Sequence, residues 1–251
     1  MASTEQPFGI DFGGTGIKGA PVDLDAGEFA AERERIRTPA ASTPENIAEI
    51  FVDLLAKFPA CTGAVGVTVP GVVRHGVVLS AANIDKAWIG TDADKLFTEA
   101  TGREVHVVND ADAAGLAEVR YGAARGRNGL VIVTTLGTGI GSAMVNDGLL
   151  VPNSELGHLE IDGHDAESRA ANSARTREEL SWEAWAARLT RYYRTLEMLF
   201  SPELFVVGGG VSKDSEEFLP LLDIDTEIVP ATLLNKAGVV GAALYASEGG
   251  G

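Results

Sequence analysis

The chain has a single cysteine, Cys61, in 251 residues, so it cannot form an internal disulfide and must be held together by a packed core. It has no apolar run approaching the length of a membrane span. Its first residues, MASTEQPFGIDFGG, lack the basic start and apolar stretch of a secretory signal. Positive charge is scarce as well: 20 Lys and Arg stand against 36 Asp and Glu, a formal net charge of -16. A surface of that sign repels nucleic acid and anionic membranes at long range. No low-complexity stretch or flexible linker interrupts the sequence. These absences predict a cytoplasmic protein that partners neither nucleic acid nor membrane. Cys61, in a small apolar neighbourhood before AVGVTV, reads as a buried and inert thiol.

What is present has the balance of a globular protein, 45% apolar and 22% charged, at a length that suits one large domain or two lobes. A strand at 8–12 runs into glycines, and 18–22 reads as its hairpin partner. Thr43 caps a helix with Pro44 at its first position and Ile47, Ile50, Phe51, Leu54, Leu55 and Phe58 on one face. Strands at 64–69 and 105–108 and a helix over 92–101, closed by Gly102, follow. The pattern then restarts: a helix at 111–124, a strand at 130–136, a glycine turn, a strand at 140–145 and a return at 149–151. Strand, glycine turn, strand therefore occurs once in each half, which points to duplication. Ser181 caps a long amphipathic helix whose aromatics read as core or subunit contacts. A strand at 204–207 enters Gly208, Gly209 and Gly210, and 237–246 reads as a closing helix. The expected organisation is an N-terminal lobe, 1–108, closed by the C-terminal helix 237–251, and a second lobe, 109–236.

Three glycine turns carry the chemistry. In DFGGTGIK, Gly13, Gly14 and Gly16 allow close backbone approach to phosphate oxygens, while Thr15 offers a hydroxyl and Lys18 a charge. A plain hairpin turn is the other reading, and the spacing fits neither the P-loop nor the dinucleotide fingerprint. TTLGTGIGS repeats the chemistry with Gly137, Thr138 and Gly139 at the equivalent place in the second half. Two such turns together suggest a phosphate chain held from both sides. The third, Gly208 to Gly210, would admit a ring or a phosphate to the backbone.

Asp110 falls where a strand ends and a helix begins. It can act as a base toward a hydroxyl that attacks phosphorus, or it can cap the helix, a role Asp112 would serve equally. The segment SELGHLEIDGHDAE gathers Glu155, His158, Glu160, Asp162, His164, Asp165 and Glu167. Such a set could bind a polyol, ligate a metal or form a solvated loop, with zinc disfavoured because no cysteines accompany the histidines. Asn83 is a further polar candidate. Trp88 is either packing or a sugar platform, and Arg125, Arg127, Arg169, Arg175 and Arg177 either form a basic track for a polyanion or belong to a solvated face.

Taken together, DFGGTGIK, VPG, ANID, the ND pair, LGTGIG, ELGH and the late GGG resemble the ROK family of sugar kinases, from about residue 7 to residue 246. The resemblance implies an α/β, two-lobed actin-like ATPase/hexokinase (RNase H-like) fold with a central cleft. It implies transfer of a phosphoryl group from ATP or inorganic polyphosphate to the 6-hydroxyl of glucose, with Asp110 as base and Asn83, Asn109, Glu155, His158 and Glu167 as sugar ligands. Thr15, Lys18, Thr138 and the neighbouring glycines would contact phosphate, and Asp11 would lie near Mg2+ through water. A homodimer is implied by the same resemblance. The cysteine cluster that holds zinc in many members is absent after His158, so zinc is not expected. The DNA-binding helix-turn-helix of ROK repressors is missing too. Two other readings remain: a kinase for mannose, N-acetylmannosamine or another hexose, and an actin-like nucleotide switch.

Overall fold

The computed structural model describes residues 5–250. In chain order the first elements are β1 (Phe8–Gly13), β2 (Gly16–Asp23), β3 (Glu28–Phe29), β4 (Glu34–Ile36), α1 (Pro44–Ala56), β5 (Val65–Val69), β6 (Val73–Arg74), β7 (Val77–Val78), α2 (Ala93–Thr101), β8 (Val105–Asn109) and α3 (Asp110–Tyr121). Then come β9 (Leu130–Leu136), β10 (Ile140–Asn146), β11 (Leu149–Val151), β12 (Glu160–Ile161), β13 (His164–Asp165), α4 (Ala166–Ala170), α5 (Asn172–Arg177), α6 (Trp182–Phe200), β14 (Leu204–Gly208), α7 (Ser215–Phe218), β15 (Ile228–Pro230) and α8 (Ala237–Ser247). The chain divides into two compact units. One comprises the residues up to Ala117 together with those from Asn235 onward, and the other is Glu118–Leu234. The first division falls inside α3. No helix among the described residues is long and apolar enough to cross a membrane.

The first unit is built on a sheet of order β3-β2-β1-β5-β8, with β4 also pairing β2. Period-two alternation fixes its faces. Phe8, Ile10 and Phe12 of β1 and Val65, Val67 and Val69 of β5 are buried in one core with Ile47, Phe51 and Leu54 of α1. The predicted Thr43 cap is present, its side chain accepting from Asn46 N. Trp88 is packing: it is fully buried, its indole N–H donates to Ser42 O at 2.8 Å, and its ring lies 5.5 Å from Phe12 and 5.7 Å from Phe97. The opposite positions on the two central strands are Gly9 and Gly66, and α8 packs across them. Cys61 is buried as expected, its thiol against Gln6 O at 3.0 Å.

The second unit has a sheet of order β11-β10-β9-β14-β15. In both sheets an antiparallel hairpin is followed by two parallel strands, the duplication that the sequence pattern suggested. The aromatics of α6 are core: Trp185, Tyr192 and Tyr193 are buried with Ile132, Phe205 and Val207, and Tyr193 OH meets Thr134 Oγ1 at 2.7 Å. Of the arginines that might have formed a track, Arg127 pairs with Glu227 at 2.6 Å, Arg177 with Glu178 at 3.0 Å, and Arg175 stacks on Trp182 at 3.5 Å.

Glu118, only 1% exposed, organises the end of this unit. Its carboxylate accepts from Ala123 N at 2.8 Å, Thr232 N at 3.2 Å, Thr232 Oγ1 at 3.3 Å and Leu233 N at 2.7 Å. Leu234, the next residue, holds a left-handed φ of 48°, unusual for a branched side chain. Glu118→Ala would leave three backbone amides, the buried one of Leu233 among them, without their acceptor and should lower stability by roughly 3 kcal/mol in urea unfolding. A loss below about 1 kcal/mol would mean that water replaces the carboxylate at no great cost.

Candidate active site

In the first unit the turn at Gly14 and Thr15 joins β1 to β2, whose register places Asp11 opposite Lys18. Lys18 Nζ lies 2.6 Å from Asp11 Oδ2, and Thr68 Oγ1 donates to Asp11 Oδ1 at 3.2 Å. The ammonium therefore reaches any phosphate already paired with a carboxylate. A Cβ on Gly14 would lie 2.6 Å from the carbonyl oxygen of Asn83, so this glycine allows two predicted site motifs to touch. Asn83 itself takes a left-handed φ of 60°, a conformation that asparagine tolerates better than most side chains.

The cap of α3 is Asn109, where sequence reasoning had offered Asp110 or Asp112 for that duty. Asn109 Oδ1 accepts from Ala111 N at 2.8 Å and Asp112 N at 3.1 Å, while Nδ2 donates to Gly71 O at 3.0 Å, tying the ND pair to the VPG motif. Asn109 is buried, which leaves one amide hydrogen for a ligand. Asp110 follows at the first helical position, exposed, with Oδ1 accepting from Ala111 N at 2.9 Å.

In the second unit the turn at Gly137, Thr138 and Gly139 is braced from behind by a residue that the sequence reading passed over. Ser173 N donates to Gly137 O at 3.0 Å and Ser173 Oγ to Thr138 O at 2.6 Å. Gly137 has open space where a Cβ would stand, and Thr138 is exposed. Gly208 ends β14 in register with Thr135, and Gly209 turns with a φ of 85° against the backbone of Leu136. Two of the three glycine turns thus lie side by side in this unit. Gly210 opens the 3-10 turn that follows.

The ELGH segment is held to the same turn. Ser142, buried on β10, accepts from Leu156 N at 2.9 Å and donates to Ser154 O, and a Cβ on Gly157 would overlap Ile140 O. Glu167 Oε2 accepts from Ile140 N at 2.9 Å, and a Cβ on Gly139 would overlap that carboxylate. Glu155, His158 and Glu167 gather accordingly, while Asp162 turns elsewhere and pairs with Arg191 at 2.8 Å. Ligand atoms of His158, Asp165 and Glu167 lie within 4.8 Å of one another, close enough to share a cation.

Burial raises the pKa of Glu155, against the opposing effect of His158. His158 is raised above 6.5 chiefly by its 3.0 Å hydrogen bond to Asp165, with the nearby carboxylates adding to the shift. A raised histidine keeps its proton to higher pH, so the His158–Asp165 attraction is complete below the unfolded pKa and disappears as pH rises through the folded one. Proton NMR should show His158 titrating above 6.5 and moving back toward it in Asp165→Asn. An unmoved midpoint in that variant would remove Asp165 as the cause.

A pair of sheets each made of a hairpin and parallel strands, with glycine turns at the hairpin ends, defines the two-lobed, actin-like sugar-kinase fold. Residues 7–174 match the model of the ROK family, and the chain belongs to that family. It is 49% identical over 238 residues to the polyphosphate glucokinase of Mycobacterium tuberculosis (strain CDC 1551 / Oshkosh), covering 94% of this chain and 89% of the relative. The crystal structure of the inorganic polyphosphate/ATP-glucomannokinase from Arthrobacter sp. strain KM is similar at a TM-score of 0.90 and 56% identity, over 97% of this chain and 99% of that one. A ROK family glucokinase from Streptomyces griseus, in complex with glucose and AMPPNP, is similar at 0.81 and 25% identity, with 97% and 99% covered.

Proposed function

We propose that the protein is a glucokinase that transfers the terminal phosphoryl group of inorganic polyphosphate or ATP to the 6-hydroxyl of glucose. The observation that carries this reading is the double engagement of Glu167. Its carboxylate belongs to the polar set with Glu155 and His158, and it also accepts the amide of Ile140 at the end of a glycine turn. One side chain thereby serves a polyol and a phosphate turn. An actin-like switch would give the turns a task and leave the polar set without one.

In the proposed mechanism Glu155, His158 and Glu167, with Asn83 and the remaining amide hydrogen of Asn109, orient the sugar. Asp110 accepts the proton of the 6-hydroxyl as its oxygen bonds to phosphorus and the bond to the departing phosphate breaks. The turns at Gly13 to Gly16 and Gly137 to Gly139 present backbone, and Thr15 and Thr138 present hydroxyls, to the phosphate oxygens. Gly208 to Gly210 give the donor's remaining part close access to the backbone. A kinase of this kind works with a divalent cation, for which we propose Mg2+. The carboxylate of Asp11 beside the hydroxyl of Thr68 is an oxygen donor set that fits it, and the Lys18 ion pair favours contact through water over direct ligation. When bound, the cation neutralises charge on the transferring phosphate. Mannose is a second acceptor suggested by the Arthrobacter glucomannokinase.

Glucose 6-phosphate formation with Mg2+, comparing long-chain polyphosphate with ATP at equal phosphate concentration, tests the assignment. Product from both donors is expected. Product from ATP alone would remove the polyphosphate assignment, and product from neither would sink the proposal.

A further inference from the structure

A polar row crosses the sheet of the first unit. The strand registers align Thr68 of β5, Asp11 of β1, Lys18 of β2 and Arg35 of β4, so the four side chains share the face opposite Phe8, Ile10 and Phe12. Thr68 donates to Asp11, and Asp11 pairs with Lys18. The lysine at the first glycine turn is therefore neutralised within the protein. The row ends on Arg35, whose guanidinium meets no acceptor among the described residues.

Arg35 is solvent-exposed but fixed in place against the turn. Its Nε lies 3.5 Å from the position a Cβ on Gly16 would take, so the guanidinium reaches the end of the turn. The segment that carries it is fastened there. Ile36 pairs with Ile17 and packs on the core, Glu34 is held by Lys57 at 2.8 Å, and Thr38 Oγ1 donates to Gly13 O at 2.6 Å. Arg37 falls between the Ile36 pairing and the Thr38 bond, which sets it alongside the turn, and alternation turns it to the face of Arg35. It too meets no acceptor among the described residues.

Unpaired arginines are unexpected on a chain of formal net charge -16. Of the arginines that the sequence offered as a track, Arg127, Arg175 and Arg177 are engaged by Glu227, Trp182 and Glu178. The uncommitted pair is here instead. A guanidinium matches two oxygens of one phosphate, and residues two apart on a strand stand roughly 7 Å from each other. Such a pair suits successive groups of a phosphate chain better than one isolated phosphate.

We infer that Arg35 and Arg37 hold an inorganic polyphosphate chain where it continues past the Gly13 to Gly16 turn, and so set the preference for that donor over ATP. The phosphates of ATP end at a nucleoside, whereas a polyphosphate carries negative charge along its whole length. The inference rests on the proposed function for the identity of the donor, but the binding it describes is measured without turnover.

The test titrates long-chain polyphosphate and ATP, each with Mg2+, into the whole protein by calorimetry at fixed ionic strength. Replacing both arginines, Arg35→Gln with Arg37→Gln, should weaken polyphosphate by about thirtyfold and ATP by no more than about threefold. Polyphosphate binding by that variant should also depend less steeply on salt, since fewer counterions are released. Arg125→Gln removes a positive charge from an exposed site in the other unit and should leave the preference where it was. Equal weakening of both donors, an equal loss in Arg125→Gln, or no binding of polyphosphate by the parent overturns the assignment. Failure of the kinase reading has a different signature: the parent would bind polyphosphate, lose it on the double substitution and form no glucose 6-phosphate. Product from polyphosphate with affinity unchanged in the double variant would keep the kinase and remove the two arginines.

Discussion

Asp110→Asn should lower turnover by about a thousandfold or more while leaving glucose affinity within roughly tenfold. The substitution keeps the size and shape of the side chain and removes its negative charge, which Asp112 still supplies to the first turn of the helix. Asn109 caps α3, so the helix keeps its start, and an asparagine Oδ1 can still accept from Ala111 N as Asp110 does at 2.9 Å. What is lost is a carboxylate able to take a proton, a loss felt in the transition state more than in the ground state. Steady-state kinetics alongside a direct measurement of glucose binding separates the two. If binding and turnover fell together, Asp110 would be holding sugar and not acting as base.

Gly66→Ala should cost about 4 kcal/mol and lower the melting temperature by roughly 10 °C. β5 is central in its sheet, and alternation turns residue 66 to the face that α8 covers. A Cβ there would overlap the carbonyl of Ala242, a backbone group that no rotamer change can move aside. The helix would have to lift off β1 and β5 together. Gly137→Ala is the control: nothing lies within 4 Å of its Cβ position, so the fold should hold while donor handling suffers. Equal stability of the Gly66 variant and the parent would mean that α8 yields more easily than its packing indicates.

Much of the fold was legible because local signals and long-range packing agree. Thr43 with Pro44 marked α1, Asp92 and Gly102 bracketed α2, and Ser181 opened α6, each with the cap the sequence suggested. Periodicity identified the central strands, and the repeated glycine turns revealed the duplication. The short edge strands β3 and β4 and the small helices α4 and α5 left no such mark, since two to six residues are too few for a period to show. At the site, motif reading singled out Asp110, Glu155, His158 and Glu167, the last three of which gather in one polar set, but it missed the braces. Ser173, Ser142 and Glu118 act through bonds spanning up to 115 residues, and nothing adjacent in sequence announces them. The family resemblance assigns Asn109 to the sugar alone, and the same amide also starts a helix.

The contact between Gly139 and Glu167 has a historical consequence. A larger residue at 139 displaces the carboxylate, and a shorter acid at 167 strands the amide of Ile140, so neither position can drift on its own. The turn and the polar segment, donor turn and sugar segment in the proposed function, are thereby bound into a single heritable module. A lineage seeking a new acceptor sugar would have to rework its phosphate grip in the same step, or alter specificity through Glu155 and His158, whose side chains pair with each other and with Asp165 while only the backbone beside them is held to the turn.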